Sequence, residues 1–429
     1  MKVVVIGAGW AGCAAAVEAL RLGHAVTLYE STRIAGGRAR RLAQGDHHLD
    51  NGQHILIGAY SACLKLMADL SVDLNTGLKR LPLALQFPDG SGLKLAHWPA
   101  PLDALAGIAC ADGWSWSDKF ALLKICIAWR LSRFSCAPET SVAQLCQALP
   151  QLVLSTLIEP LCISALNTPM ERASGQVFLR VLHDALFSSS GGSNLLLPLK
   201  DLSALLPEPA LAWLTQHGAS VQMASRVQQI SQTKNGWRVE ADGLATMDVD
   251  AIILACPALE AARLVDACDP SHSQWIEHVK NLSYEPITTV YGMANGARLT
   301  EPMLALPSSR QYPAQFVFDR GQLGGPAGLL AFVISASNGD SKTLTQQVLA
   351  QAAQQLGLTT FEPIKTIIEK RATFACTPNL IRPAMQIGPG LLACGDYIAG
   401  PYPATLEGAV RSGLAAARAI SSKPNNLKP

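Results

Sequence analysis

The chain has 429 residues and a formal charge of only +2, from 34 Lys and Arg against 32 Asp and Glu. That near-neutral balance, with no stripe of interleaved basic and aromatic residues, argues against a nucleic-acid partner. Charged residues make up 15% of the chain, against about 25% in ordinary soluble proteins. The sequence therefore suits deep packing around large apolar ligands, or work at a lipid surface. Its length exceeds one typical domain and allows a large core. Eleven cysteines include no Cys-x-x-Cys pair, which argues against structural zinc; we expect reduced thiols in a cytoplasmic protein. With a first strand from residue 3 there is no room for a signal peptide, and no run of ~20 apolar residues predicts a membrane span.

Residues 3–6 are Val-Val-Val-Ile and lead into Gly7-Ala-Gly9-Trp10-Ala11-Gly12. A continuous apolar run reads as a buried parallel strand. The Gly-x-Gly-x-x-Gly turn after it brings backbone amides to a pyrophosphate at a helix N-terminus. Gly7 serves the tight turn, Gly9 the close approach of phosphate, and Gly12 the packing of helix on strand. An Ala-rich helix over 12–22 and the strand Ala25–Tyr29 complete a βαβ unit. Glu30, with Ser31 beside it, stands where an acid holds a ribose hydroxyl. Further on, Gly36-Gly37-Arg38 offers exposed amides and a fixed fork of donors for phosphate oxygens.

Near the other end, Leu391-Leu-Ala-Cys-Gly395-Asp396 reads as another apolar strand closing on Gly-Asp. A helix then begins in Pro403-Ala404-Thr405-Leu-Glu407. The two ends together resemble the superfamily of flavin-containing amine oxidases and phytoene desaturases. That resemblance implies FAD. Gly-Gly-Arg would contact the diphosphate, Gly395 and Asp396 the ribityl-phosphate arm, and the amides opening the last helix the flavin ring. It also brings Val227 to the adenine, and it adds Asn51, Gly52, Gln53, His54 and Cys256 to the cofactor set.

The middle of the chain fits a discontinuous arrangement. Strands are expected near 218–223 and 226–230, with Trp237–Glu240 paired across a Lys-Asn-Gly turn and a buried strand at 251–256. The fold class is α/β: a Rossmann-like FAD-binding domain from 1–60, 201–257 and 376–429, with an inserted α+β substrate domain from 61–200 and 258–375. The first insertion reads as mostly helical. The second reads as strands at 288–293, 315–319 and 328–335 with a helix at 341–356. Within 97–134 lie four of the eight tryptophans, Trp98, Trp114, Trp116 and Trp129. A helix over 117–134, capped by Ser117, would place Lys119, Arg130 and Arg133 on one face of an otherwise apolar rod. Such a rod is either a core helix or a helix lying in a bilayer surface.

Asp50–His54, Pro160–Pro169, Phe178–Leu186 and Pro403–Gly413 are similar to the corresponding segments of hydroxysqualene dehydroxylases. This likeness implies reductive removal of an allylic hydroxyl from a C30 isoprenoid. The chemistry calls for an apolar tunnel, an acid for the departing oxygen and a reductant, either NAD(P)H or a separate reductase. His54, Glu159, His183 and Asp184 are the candidate acids; the histidines lack metal-ligand spacing, so no metal is expected. Two other readings remain open at this point: a desaturase-like or amine-oxidase-like flavoenzyme, and a lipid-binding protein that keeps FAD without turnover.

Overall fold

The computed structural model describes residues 1–44, 47–96, 98, 102–186 and 191–421. Its centre is a six-stranded sheet ordered Ser220–Gln222, Ala25–Tyr29, Lys2–Ile6, Ala251–Leu254, Leu391–Ala393 and Gln386–Gly388. The first five run parallel and the last is antiparallel. Val3, Val4 and Val5 are buried on both faces, which is why the first strand is apolar without alternation. The sheet thus joins segments from the start, middle and end of the chain.

The helices Trp10–Arg21 and Leu406–Ser421 cover one face. Small residues set their approach: a Cβ on Gly413 would lie 2.2 Å from the carbonyl oxygen of Ala11. An ion pair between Arg418 and Glu18 at 2.6 Å ties the same helices at their outer edge. Below the other face lies a three-stranded antiparallel sheet, Val227–Thr233, Gly236–Ala241 and Met247–Val249.

A second large sheet roofs the site. Its five antiparallel strands are ordered Met303–Ala305, Phe316–Asp319, Leu329–Ser335, Tyr284–Met293 and Glu362–Phe374. Period-two alternation divides its two faces. Phe316, Phe318 and Val333 face a cavity, while Val317, Phe332 and Ile334 pack with Leu344 and Val348 of the helix Ser341–Leu356. The outer strands Met303–Ala305 and Glu362–Phe374 were not anticipated from the sequence.

The first insertion is helical but also carries the strands Leu78–Leu81, Ala84–Gln86, Gly92–Lys94 and Leu195–Pro198. Its tryptophan-rich helix runs Trp116–Leu131 and its N-cap is Ser115, not Ser117. Ser115 accepts from the Asp118 amide and Asp118 returns a bond to the Ser115 amide, the reciprocal arrangement that satisfies two orphan donors. Arg133 falls past the helix end with φ 55°, so it does not share a helical face with Lys119 and Arg130. No helix among the described residues is long and apolar enough to cross a membrane.

Candidate active site

The cradle is built first from backbone. Gly7 has φ 108°, and a Cβ there would lie 2.8 Å from the Ala255 carbonyl oxygen. A Cβ on Gly12 would lie 1.8 Å from the Gly7 carbonyl oxygen. The turn can therefore be made only with glycine at both positions. Gly9 caps the helix Trp10–Arg21 without any side-chain hydrogen bond, so the first-turn amides stay available to an anion. The Gly36 amide donates to the Ala8 carbonyl at 2.8 Å, and Gly9 bridges Gly36. Two glycine loops thus meet edge to edge.

Side chains brace this cradle. Glu30 is buried and accepts from the Ala8 amide, the Thr32 amide and the Thr32 hydroxyl, each at 2.8 Å. Arg38 donates to Asp396 at 2.5 Å and to the Ala372 carbonyl at 2.6 Å. The Asn51 amide donates to the Arg38 carbonyl and to Glu369. The Gln53 amide donates to the Tyr291 hydroxyl at 2.7 Å.

These groups line one cavity of about 630 Å³. Of the cofactor positions expected from sequence, all but Gly12, Pro403 and Glu407 lie on its wall: Gly7, Gly9, Trp10, Ala11, Glu30, Ser31, Gly36, Gly37, Arg38, Asn51, Gly52, Gln53, His54, Val227, Cys256, Gly395, Asp396, Ala404 and Thr405. Gly12 acts behind the turn, as its packing role requires. Glu407 is fully buried and accepts from the amides of Ala62 and Cys63 and from Arg411 Nε. It holds the start of the helix Ser61–Asp69, a position that favours negative charge, instead of facing the cavity. Past the cradle the same cavity continues between Ile55, Ile163, Ile287, Phe316, Phe318 and Val333, so a polar slot and an apolar chamber share one space.

The four candidate acids are not brought together. His54 lies on this cavity, Glu159 lies on a second one, and His183 and Asp184 lie on neither. Asp184 is buried and accepts from Arg180 Nε at 2.7 Å and from His183 Nδ1 at 2.9 Å. Burial pushes its carboxyl up, but hydrogen bonds from Arg180, His183 and Tyr402 outweigh this and hold it below the usual range. Asp184 is therefore held as an acceptor by these donors, and the His183–Asp184 pair lies away from both cavities.

For His54, burial lowers the imidazole below its ordinary value, against a raising contribution from its bond to Gly52, and Arg38 lowers it further. Its Nδ1 stands 3.0 Å from the Gly52 carbonyl oxygen. A carbonyl can only accept, so Nδ1 carries the hydrogen and Nε2 keeps the lone pair in the neutral ring.

Sequence reasoning missed Tyr60, Asn167, Glu369 and Tyr397 on the cavity wall. Asn167, in the left-handed region at φ 46°, donates to the Glu285 carbonyl and the Thr373 hydroxyl and accepts from the Ala336 amide. It pins the helix Glu159–Leu166 to the roof. Tyr397 follows directly on Gly-Asp, which was the available signal. Its hydroxyl is buried and has no partner among the described residues. An orphaned donor on the cavity wall, together with the glycine cradle and the Arg38–Asp396 pair, fits a flavin adenine dinucleotide as the group these residues would hold.

Comparisons with known proteins agree with this geometry. The family model described as flavin containing amine oxidoreductase matches residues 10–421. A hydroxysqualene dehydroxylase of Rhodopseudomonas palustris is 26% identical, with 96% of both chains covered. One from Zymomonas mobilis is 25% identical over 96% of this chain and 97% of its own. A zeta-carotene desaturase of Synechocystis is 39% identical over 18% of this chain and 16% of its own. Among solved structures, an oxidoreductase from Methanosarcina mazei superposes with a TM-score of 0.73 at 18% identity, covering 97% of this chain and all of that one. Cyclohexylamine oxidase from Brevibacterium oxydans gives 0.72 at 14% identity over 98% of both.

Proposed function

The chain belongs to the flavin-containing amine oxidoreductase family and is an FAD-dependent oxidoreductase, and from that premise we propose that it reductively removes the allylic hydroxyl of hydroxysqualene to give squalene. The observation that carries this reading is similarity to hydroxysqualene dehydroxylases over nearly the whole of both chains. Similarity to zeta-carotene desaturases covers less of the chain, 18% in one case and 63% in another. An apolar chamber opening off the dinucleotide slot supports a hydrocarbon substrate.

The reaction consumes one hydride and one proton and releases water. FAD, when bound, supplies the reducing equivalent, renewed by NAD(P)H or by a separate reductase. The chain's own residues do the rest. Gly9, Gly37, Arg38 and the amides opening the helix Trp10–Arg21 would hold phosphate, Glu30 the ribose, and Asp396 the arm between phosphate and ring. Phe316, Phe318 and Val333 exclude water from the carbon skeleton.

His54 Nε2 donates the proton to the departing oxygen. Burial makes its imidazolium scarce at neutral pH, but a cation with a lowered pKa is also a stronger acid, which a poor leaving group demands. The single-turnover rate should therefore fall as pH rises above the depressed His54 value. His54→Gln should remove that limb and slow the step about 10²–10⁴-fold. An unchanged profile in His54→Gln removes His54 from this role.

We also place the enzyme against a lipid surface. The helix Trp116–Leu131 exposes Trp116 (67%), Phe120 (64%), Ile127 (51%) and Leu131 (80%), spaced so that they form one stripe. Lys124 shares the stripe and Arg130 lies beside it; both are exposed. Aromatic, aliphatic and cationic groups in that combination suit an anionic bilayer face.

The deciding experiment incubates FAD-loaded protein with hydroxysqualene and a reductant and identifies the hydrocarbon by mass spectrometry. Squalene is expected. Conversion of phytoene with no conversion of hydroxysqualene would move the assignment to the desaturases.

A further inference from the structure

The cavity that holds the glycine cradle measures about 630 Å³. Pockets that bury a single drug-sized ligand span about 300–1,000 Å³, so a cavity of this size that takes a dinucleotide leaves limited room for a C30 chain. Adjoining space then bears on where the rest of such a chain lies.

A second cavity of about 720 Å³ adjoins the first. Ile163 and Ser335 face both. Ile163 stands on the helix Glu159–Leu166 and Ser335 ends the roof strand Leu329–Ser335. The partition therefore includes one aliphatic side chain and one small hydroxyl. The second space is lined by Phe87, Leu152, Met170 and Leu306 and, at its polar parts, by Thr156, Glu159 and Gln315.

The segment between this cavity and the exposed stripe is unusual. Leu154–Ile158 forms a π-helical turn, a local widening that is rare and concentrates at functional sites. Thr156, on that turn and on the cavity wall, accepts from Trp114 Nε1 at 3.0 Å. Trp114 immediately precedes the cap of the helix Trp116–Leu131. That helix packs against Gln151–Val153, whose exposed Leu152 lies at the cavity's edge. The stripe helix thus reaches the second cavity through the Trp114–Thr156 bond and the segment Gln151–Val153, and the second cavity meets the flavin chamber at Ile163 and Ser335.

We propose that the second cavity is the tail site of the substrate: it holds the distal part of a long apolar chain whose reacting end lies beyond Ile163 and Ser335. This rests on the hydroxysqualene reading for the identity of the chain, while the site itself requires only a long polyprenyl ligand. Specificity for length then resides here, away from the reacting carbon.

The test measures binding, not turnover. FAD-loaded protein is titrated with squalene and with the C15 alcohol farnesol, following the flavin difference spectrum. Met170→Trp and Leu306→Trp each fill the second cavity. Both should weaken squalene about tenfold or more, the loss expected when a few methylene groups are shut out, and hold farnesol within about twofold. FAD content and melting temperature confirm that each variant is folded. Unchanged squalene affinity in both, equal loss of both ligands, or a wild type that binds no squalene overturns the tail site. A wild type that binds squalene as expected yet leaves hydroxysqualene unreduced overturns the reaction and leaves the tail site standing.

Discussion

Arg38 and Asp396 are 358 residues apart in sequence and 2.5 Å apart in space. One sits in the glycine loop after the second strand, the other just past the strand Leu391–Ala393. Their ion pair is the clasp that joins the two ends of the chain across the cofactor slot. Asp396→Asn should loosen it. Removing one partner of a buried pair costs about 3–5 kcal/mol. The Arg38 side chain keeps 39% exposure, so solvent offsets part and about 1–3 kcal/mol is expected. FAD affinity should fall by about tenfold or more. Titration of apoprotein with FAD measures it; unchanged affinity would show that the clasp does not serve the cofactor.

Tyr397 carries the opposite kind of signal, a buried hydroxyl with no partner among the described residues. Burial, with neighbouring Cys256, Cys394, Tyr284 and Asp396, raises its phenol well above the ordinary value, so it stays protonated and able to donate. An unmade bond of this kind costs about 1–3 kcal/mol. Tyr397→Phe should therefore stabilise the apoprotein while weakening FAD. Thermal melts with and without added FAD test both halves, and a variant weaker in both states refutes the donor role.

Asp50 gives a pH signature. Its carboxyl is buried, and that burial pushes it up to about 7, against the lowering effect of the Leu202 amide, which it accepts at 2.9 Å. In the unfolded chain it ionises near 4. The unfolded state therefore loses its proton first as pH rises, and stability drains away between about pH 4 and about pH 7, then levels off. Asp50→Asn keeps the acceptor oxygen and removes the charge. It should be about 2–4 kcal/mol more stable than wild type at pH 8, with no gain at pH 4. Urea unfolding at the two pH values checks this; a gain of equal size at both would assign it to packing.

Features made by backbone were readable in the sequence, and features made by distant side chains were not. Gly7 and Gly12 announce themselves because no other residue fits their turn, and the apolar runs at 3–6, 251–254 and 391–393 dictate buried parallel strands. The Ser115 cap was also readable, since Ser115-Trp-Ser-Asp118 carries the capping spacing; the competing Ser117 obscured it. Glu407 was different. Its sequence neighbourhood points to the cofactor, yet its partners Ala62 and Cys63 lie more than 340 residues away, and only they reveal a buried cap. Adjacent His183 and Asp184 suggested chemistry, but Arg180, one helical turn before Asp184, completes a structural knot. The chamber walls Phe316, Phe318 and Val333 come from a roof sheet whose pairing no local pattern specifies.

The exposed stripe on Trp116–Leu131 leads to the remaining prediction. Burying a large apolar side chain contributes about 1.5–3 kcal/mol, and each basic group near an anionic surface about 1 kcal/mol. Trp116, Phe120, Ile127 and Leu131, with Lys124 and Arg130 beside them, together exceed what a transient contact needs. Lys119 does not compete for lipid in the same way, because it donates to the Ala109 carbonyl at 2.7 Å and sits over the Trp116 ring. Wild-type protein should float with anionic liposomes at low salt and be partly released at high salt, where only the charge contribution is screened. Phe120→Asp with Ile127→Asp should abolish flotation while leaving FAD content and melting temperature unchanged, since both side chains face solvent. Wild-type protein that stays at the bottom of the gradient at low salt would refute the lipid-facing assignment, and hydroxysqualene would then have to enter from detergent or a carrier.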